Sequence, residues 1–124
     1  MKKIIVTGGS GFIGCNLVKF LIKKNYFVIN IDNLSYSANP YNLKILKNNK
    51  KYKFYKVDIN NKNALLKILN LHKPIGVFNL AAETHVDRSI DNPDNFIKSN
   101  ILGLYNLLKA IRKYLKKNKK KFKL

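Results

Sequence analysis

Three glycines near the N-terminus have the spacing of a phosphate-binding turn. Gly8, Gly11 and Gly14 lie between an apolar run and an amphipathic segment. Gly8 permits a tight turn, Gly11 lets the backbone approach a pyrophosphate, and Gly14 lets a helix pack closely on the preceding strand. The free N–H groups at the start of such a helix face the anion. The spacing therefore predicts a dinucleotide-binding turn.

An acidic residue about 20 positions beyond the glycines is the second requirement of such a site, because it binds the ribose hydroxyls. Asp32 fills this position at the end of the apolar run Phe27–Ile31. A carboxylate accepts hydrogen bonds from both ribose hydroxyls of NAD but repels the 2′-phosphate of NADP, and no Arg lies beside it. NAD is therefore the expected cofactor.

The elements that must position these residues alternate along the chain. Strands are predicted over residues 3–7, 27–32, 52–57 and 75–80, with helical segments after each. The first helix is expected to bury Ile13, Leu17, Phe20 and Leu21, and the last to bury Ile97, Ile101, Leu104, Leu108, Ile111 and Leu115. This alternation predicts an α/β fold, a doubly wound parallel sheet of Rossmann type in one domain over residues 1–124.

The segment Phe122–Leu124 has the character of the opening of a fifth strand. A doubly wound sheet of this type usually has about six strands, and the apolar fourth strand would otherwise be an exposed edge. We therefore expect a sheet truncated after about four strands, in the N-terminal portion of a longer enzyme.

The net charge of +19 raises the possibility of nucleic-acid binding. Only two of the 25 basic residues are Arg, however, and the Lys residues are spread along the chain together with many Asn. This pattern favours a compositional bias over a specific nucleic-acid surface, since phosphate and base recognition favours Arg. No targeting segment or membrane span is predicted, so we expect a cytoplasmic protein. The single cysteine, Cys15, is expected to be buried.

Five further segments make a family resemblance specific. They are residues 7–14, 32–36, 58–59, 79–90 and 99–101, and the most diagnostic reads Ala-Ala-Glu-Thr-His-Val-Asp-Arg-Ser-Ile from Ala81 to Ile90. The chain resembles the N-terminal portion of the extended short-chain dehydrogenases/reductases, in particular their dTDP-glucose 4,6-dehydratases. The resemblance covers essentially the whole chain.

The resemblance implies NAD as cofactor and a nucleotide sugar, dTDP-glucose, as substrate. The implied cofactor-binding residues are Gly8, Gly11, Phe12, Ile13, Gly14, Asp32, Asn33, Leu34, Ser35, Asp58, Ile59, Leu80, Ala81, Ala82, Glu83, Thr84 and Ser99. Phe12 and Ile13 would donate backbone N–H groups to the pyrophosphate, and Asp58 and Ile59 would flank the adenine. Thr84 would also bind the sugar substrate.

In the family, hydride leaves C4 of the glucosyl ring, water leaves across C5 and C6, and the hydride returns to C6, with a Tyr-x-x-x-Lys pair and a Thr-Asp-Glu cluster. Two Tyr-x-x-x-Lys spellings occur here, Tyr52–Lys56 and Tyr105–Lys109, but the first lies on a predicted strand and the second on a packing helix. We assign no catalytic residue and no metal site, and we expect this chain to be inactive alone. A homodimer is possible for the full-length protein, through residues such as Leu107 and Tyr114.

Three alternatives to a dehydratase remain open. They are a UDP-sugar epimerase of the same superfamily, a non-catalytic NAD-binding module, and a basic nucleic-acid binder. Two residues after the fourth strand also have open roles. His85 is either a hydrogen-bonded structural residue or a group that titrates near neutral pH. Arg88 either reaches a substrate phosphate or pairs with Asp87 or Asp91.

Overall fold

The computed structural model describes residues 1–35, 38–118 and 122–124. Four strands form one sheet, β1 (Lys3–Thr7), β2 (Phe27–Asp32), β3 (Tyr52–Lys56) and β4 (Gly76–Asn79). Their order is β3-β2-β1-β4, and each adjacent pair is parallel. The carboxyl ends of all four strands therefore meet at one edge, where β1 and β2 lead into the glycine turn and Asp32. The predicted Rossmann-type sheet is confirmed.

Helices cover both faces of this sheet. In chain order they are α1 (Phe12–Lys23), a 3-10 helix (Pro40–Leu46), α2 (Lys62–His72), α3 (Val86–Asp91), α4 (Pro93–Phe96), a π-helix (Ile97–Gly103) and α5 (Leu104–Lys117). Strand residues alternate between the two faces, as the pleat requires. Ile4, Val6 and Val28 pack with α1 and the 3-10 helix, whereas Ile5 and Ile29 pack with α2 and α5.

The buried face of α1 differs from the predicted one. Ile13 and Phe20 are 70% and 54% exposed, although we expected both to face the core. The helix buries Gly14, Cys15 and Val18 together with Leu21, which is the residue whose predicted burial is confirmed. Small residues at 14 and 15 let the helix lie close to the sheet, so the larger neighbours point outward. The expectation that Cys15 is buried is confirmed.

The predicted buried face of the last helical region is confirmed at Ile111 and Leu115 and is wrong at the four residues before them. Ile97, Ile101, Leu104 and Leu108 are between 37% and 57% exposed. The buried residues are Gly103, Leu107, Ala110, Ile111 and Tyr114. A π-helix has more residues per turn than an α-helix, so it rotates the faces before and after it relative to one another. Leu107 and Tyr114 belong to the core, which corrects the expectation that they are available to a dimer.

The predicted opening of a fifth strand is confirmed beside β4. Lys123 forms a parallel β-bridge with Gly76. The amide of Val77 donates to the Lys123 carbonyl at 2.8 Å, and the amide of Lys123 donates to the Ile75 carbonyl at 2.9 Å.

Among the described residues, no helix combines the length and the apolar character that a membrane crossing needs.

The amino-terminal edge of the sheet contains a histidine whose protonation opposes folding. His72, at the end of α2, lies with its Nε2 2.8 Å from the Tyr55 hydroxyl and stacks on Phe27. Burial lowers the pKa of His72, and the positive charges of Lys3 and Lys53 lower it further. The unfolded chain therefore binds this proton more readily than the folded chain does.

We expect the free energy of unfolding to be highest above the ordinary His pKa of 6.5 and to fall as the pH decreases below it. Urea unfolding midpoints at pH 7.5 and about pH 5.5, where carboxylates are still ionised, measure this change. The variant His72→Gln removes the titrating group and should show a smaller fall. An equal fall in both proteins would contradict the assignment to His72.

Candidate functional site

The glycine turn after β1 packs tightly against the loop after β4. Gly8 has a φ of +68°, which glycine adopts without strain, and its amide donates to the Ile31 carbonyl at 2.9 Å. A Cβ on Gly8 would lie 2.6 Å from the backbone of Leu80 and Ala81. A Cβ on Gly14 would clash with the Gly8 carbonyl oxygen. The predicted tight turn at Gly8 is confirmed, and Gly14 lets α1 pack closely on that turn, not on the strand itself as predicted.

The amino terminus of α1 opens toward the carboxyl edge of the sheet. Gly11 is its N-cap residue, and no side chain among the described residues caps the helix there. A Cβ on Gly11 would have only the Gly8 oxygen near it, at 3.4 Å, so the position faces open space in the cleft. First-turn N–H groups have no partner within their own helix. They can therefore serve an anion in the cleft.

Asp32 ties the glycine turn to the loop after β2. Its carboxylate is buried, and it accepts from the Ser10 amide at 2.9 Å and from the Leu34 amide at 2.8 Å. Leu34 adopts a φ of +56° to make this bond, a conformation rare outside glycine. Each carboxylate oxygen accepts one of these bonds and retains capacity for another donor. Asp32 can therefore shape the turn and still bind hydroxyl groups.

A second polar contact fixes the loop after β4. The Thr7 hydroxyl donates to Asn79 Oδ1 at 2.6 Å and accepts from the Ala81 amide at 3.3 Å. The Leu80 amide also donates to the Thr7 carbonyl, at 3.0 Å. These bonds hold the backbone of residues 80 and 81 against the glycine turn.

The loop after β3 forms another wall of the cleft. Asp58 Oδ1 accepts from the backbone amide of Asn60 at 2.8 Å, and the Asn60 side chain donates to the Lys98 carbonyl at 3.1 Å. Asn106 on α5 donates to Asn60 Oδ1 at 3.0 Å. Asn60 thus joins the Asp58 loop to the π-helix and α5.

Asn100 in the π-helix fixes the Glu83 part of the loop after β4. Its Oδ1 accepts from the Glu83 amide at 2.8 Å, and its Nδ2 donates to the Glu83 carbonyl at 2.9 Å. This pair of bonds fixes one peptide segment in the manner of a neighbouring strand. It also brings Ser99, the preceding residue, to the cleft.

We expect Asn100→Ala to loosen the Glu83 loop at a stability cost of about 1–2 kcal/mol, because two hydrogen bonds of modest net value are lost. Amide hydrogen exchange at Glu83 should become faster, and urea unfolding measures the stability change. Asn95→Ala, which removes the same side chain type from α4, is the control. Equal exchange at Glu83 in both variants would show that Asn100 does not hold this loop.

The structure brings most of the predicted cofactor-binding residues to the walls of one cleft. These are Gly8, Gly11, Asp32, Asn33, Ser35, Asp58, Ile59, Leu80, Ala81, Ala82, Glu83 and Ser99, and Ile31 and Ala38 line it as well. Five predicted residues do not line it. They are Phe12, Ile13, Gly14, Leu34 and Thr84. The prediction for Phe12 and Ile13 concerned their backbone N–H groups only, and both side chains are exposed.

The remaining predicted features lie elsewhere. Tyr36, in the segment that carried the family resemblance, lies outside the described residues. His85 is the residue before α3 and Arg88 lies on it, and both are exposed. Within the described ranges, no three side chains of metal-ligating type come together.

Two buried polar residues beneath the turn, Asn30 and Thr7, were not predicted to shape the site. Asn30 is fully buried, and its Nδ2 donates to Ser10 Oγ at 3.2 Å and to the Tyr52 hydroxyl at 3.0 Å. The signal was present in the sequence, since a lone Asn inside the run Phe27–Ile31 must find buried partners. Thr7 at the end of β1 carried the same signal.

Comparison with known proteins agrees with this geometry. The family model described as GDP-mannose 4,6 dehydratase matches residues 5–124. The dTDP-glucose 4,6-dehydratase of Haemophilus influenzae is 47% identical over 115 residues, which cover 92% of this chain and 34% of that protein. The enzyme of the same name from Escherichia coli is 47% identical over 113 residues, 90% of this chain and 31% of that protein. The chain thus spans about a third of the length of the curated relatives that it matches.

Solved structures show the same likeness. A dTDP-glucose 4,6-dehydratase from Streptomyces venezuelae, determined with NAD bound, has a TM-score of 0.84 and 32% identity over 90% of this chain and 36% of that one. A UDP-glucose 4-epimerase from Thermotoga maritima, determined with UDP-glucose, has a TM-score of 0.81 and 41% identity over 90% of this chain and 34% of that one. The resemblance to the N-terminal part of a 4,6-dehydratase is confirmed, and this chain belongs to the GDP-mannose 4,6 dehydratase family.

Proposed function

We propose that this chain forms the NAD site of a nucleotide-sugar 4,6-dehydratase that acts on dTDP-glucose. The observation that carries the proposal is the convergence of the glycine turn, Asp32, Asp58 and the Ala81–Glu83 loop on one cleft. We favour dTDP-glucose over the UDP-sugar of an epimerase as the substrate, because the similar curated proteins are dTDP-glucose 4,6-dehydratases. The epimerase remains the second candidate, because the Thermotoga structure has the same fold.

The residues present fit NAD. The uncapped start of α1 supplies N–H groups for a pyrophosphate, and Gly11 adds no side chain where the backbone must approach it. Asp32 supplies a buried carboxylate for ribose hydroxyls. None of the described residues lining the cleft is basic, so it offers no cation for the 2′-phosphate of NADP. These features support NAD as the preferred cofactor.

NAD would supply a hydride acceptor that can later return the hydride. The protein's part is orientation. The Asn100 and Thr7 hydrogen bonds fix the loop after β4, whose residues Leu80 to Thr84 we assign to the nicotinamide side. Thr84 is exposed at the end of this segment, and we assign it to the sugar substrate.

Isothermal titration calorimetry tests the cofactor proposal. We expect the chain to bind NAD saturably and to bind NADP at least about tenfold more weakly, because Asp32 repels the added phosphate. The charge of +19 should also make NAD binding weaken as salt is added. Equal affinity for NAD and NADP, or no NAD binding by the folded chain, would contradict the proposal.

We also propose that this chain does not turn over substrate alone. Tyr105 and Lys109 both lie on α5, where the Lys109 ammonium sits 5.1 Å from the centre of the Tyr105 ring, and neither residue lines the cleft. Incubation with dTDP-glucose and NAD should give no 4-keto-6-deoxy product. Formation of that product by the purified chain would overturn this point.

A homodimer is a further part of the proposal. The surface we assign to it is a set of exposed apolar residues in the last helical region, Ile97, Ile101, Leu104, Tyr105 and Leu108. These side chains are themselves uncharged, so their association would bury apolar surface. Sedimentation should show a dimer that Leu104→Lys weakens, whereas Lys113→Glu on the same helix should not. A monomer at all concentrations would exclude this contact.

A further inference from the structure

A second groove lies beside the cleft, on the other side of the loop after β2. It has a volume of about 560 Å³ and is lined by Ser10, Leu34, Tyr41, Leu43, Lys44, Lys47, Tyr52, Lys53 and Phe54. This volume is within the range of small-molecule sites, about 300–1,000 Å³. The groove shares Ser10 and Leu34 with the glycine turn and the Asp32 loop, but neither residue lines the cleft itself.

The groove combines aromatic rings with positive charge. Tyr41 and Phe54 are exposed in it, and Tyr52 closes one wall. Lys44 and Lys47 belong to the 3-10 helix and its end, with the Lys44 ammonium 5.9 Å from the centre of the Tyr41 ring. None of the described lining residues is acidic. A ligand that matches this groove has a flat ring and a negative charge.

Lys53 lines the groove, but its positive charge is not available to an occupant. Its ammonium lies 5.8 Å from the centre of the Tyr55 ring, and its positive charge lowers the pKa of His72. Tyr55 and His72 pack at the opposite face of the sheet, toward α2. The cations available to an occupant are therefore Lys44 and Lys47.

We propose that this groove is a second ligand site, which takes an aromatic phosphate such as a nucleoside monophosphate. The ring packs between Tyr41 and Phe54, and the phosphate lies against Lys44 and Lys47. The Tyr52 hydroxyl accepts from Asn30, so its own proton is available to the occupant.

Two contacts connect the groove to the cleft, and this part rests on the proposed NAD function. Leu34 lines the groove and donates its amide to Asp32. Tyr52 holds the Asn30 amide, which in turn holds Ser10 of the glycine turn. Asn30 Oδ1 has no hydrogen-bond partner among the described residues, so the two bonds through its Nδ2 alone orient this side chain. An occupant that fixes Leu34 and Tyr52 therefore favours the NAD-binding shape of the turn.

Protein-detected NMR with 1-naphthyl phosphate tests the site on the full chain. We expect saturable shifts of the amides of Leu43, Lys47 and Phe54 at about millimolar probe or below, and at least about tenfold weaker binding of 1-naphthol and of inorganic phosphate. The double variant Lys44→Glu/Lys47→Glu should weaken binding by about tenfold or more. The matched control Lys113→Glu/Lys117→Glu makes the same charge change on α5 and should not.

Three outcomes would contradict the proposed site: probe shifts that do not saturate, a control variant that weakens probe binding as much as the double variant does, or competitive displacement of the probe by NAD.

The coupling between the groove and the NAD cleft is measured separately. Saturating probe should raise NAD affinity by about fivefold, and NAD should raise probe affinity by the same factor. Tyr52→Phe keeps the ring but removes the hydroxyl, so it should retain most of the probe affinity and diminish this coupling, leaving the part that passes through Leu34. Undiminished coupling in Tyr52→Phe would exclude the path through Asn30. If the chain binds no NAD, the amide shifts still decide the site.

Discussion

Gly14→Ala is expected to destabilise the chain by about 1–3 kcal/mol and to abolish NAD binding, because the added methyl group has no space. Its Cβ would clash with the Gly8 carbonyl oxygen and would lie 2.7 Å from the Gly9 Cα. Both neighbours are backbone atoms of the turn, so α1 as a whole would have to move. Inside a helix, alanine is normally more favourable than glycine by about 1 kcal/mol. A loss of stability in Gly14→Ala would therefore indicate the clash.

Gly11→Ala is the matched variant. Its Cβ would meet only the Gly8 oxygen, at 3.4 Å, so the stability measured by urea unfolding should change little. NAD affinity should nevertheless fall, because the methyl group faces the cleft where the pyrophosphate is proposed to approach. Stability loss in Gly14→Ala with affinity loss alone in Gly11→Ala is the expected pattern. Equal stability losses in both variants, or unchanged NAD affinity in Gly11→Ala, would contradict this reading of the turn.

Asp32→Ala is expected to weaken NAD binding by about 10- to 100-fold, because hydrogen bonds to a charged group contribute about 1.5–3 kcal/mol. Part of the loss arises indirectly. The Ser10 and Leu34 amides lose their common acceptor, so the turn and the loop after β2 are no longer tied together. NADP binding should weaken less or even strengthen, since the repulsion of its 2′-phosphate disappears.

Calorimetric titrations of both cofactors measure the two effects of Asp32→Ala. Asp94→Ala is the control, because it makes the same charge change on the exposed helix α4. We expect that variant to keep both the affinity for NAD and the preference over NADP. A comparable loss in Asp94→Ala would mean that net charge, rather than the position of Asp32, controls affinity.

The parallel sheet and the carboxyl-edge site could be predicted because they depend on local signals. The Ile4–Val6 run, the three glycines and Asp32 are close in sequence, and parallel topology then brings the later loops to the same edge. Asp58 and Glu83 were expected to bind the cofactor because of the family resemblance, and both line the cleft.

The helix faces could not be predicted from hydrophobicity alone. On α1 the size of Ile13 and Phe20 suggested burial, but close packing at Gly14 and Cys15 decides which face meets the sheet. On the last helix a π-helical segment changes the register, and no local signal in residues 97–103 marked it. Asn100, which holds the Glu83 loop, depends on that register and was missed with it.

We propose that NAD binds with its pyrophosphate at the start of α1 and its ribose at Asp32. Backbone amide NMR during an NAD titration of the full chain tests it most directly. We expect saturable shifts at Gly11, Phe12 and Ile13, at the Asp32–Ser35 loop and at Ala81 to Glu83, with the α5 amides beyond Lys109 unchanged. Absence of saturable shifts in the folded chain, or shifts confined to the basic residues of α5, would contradict it.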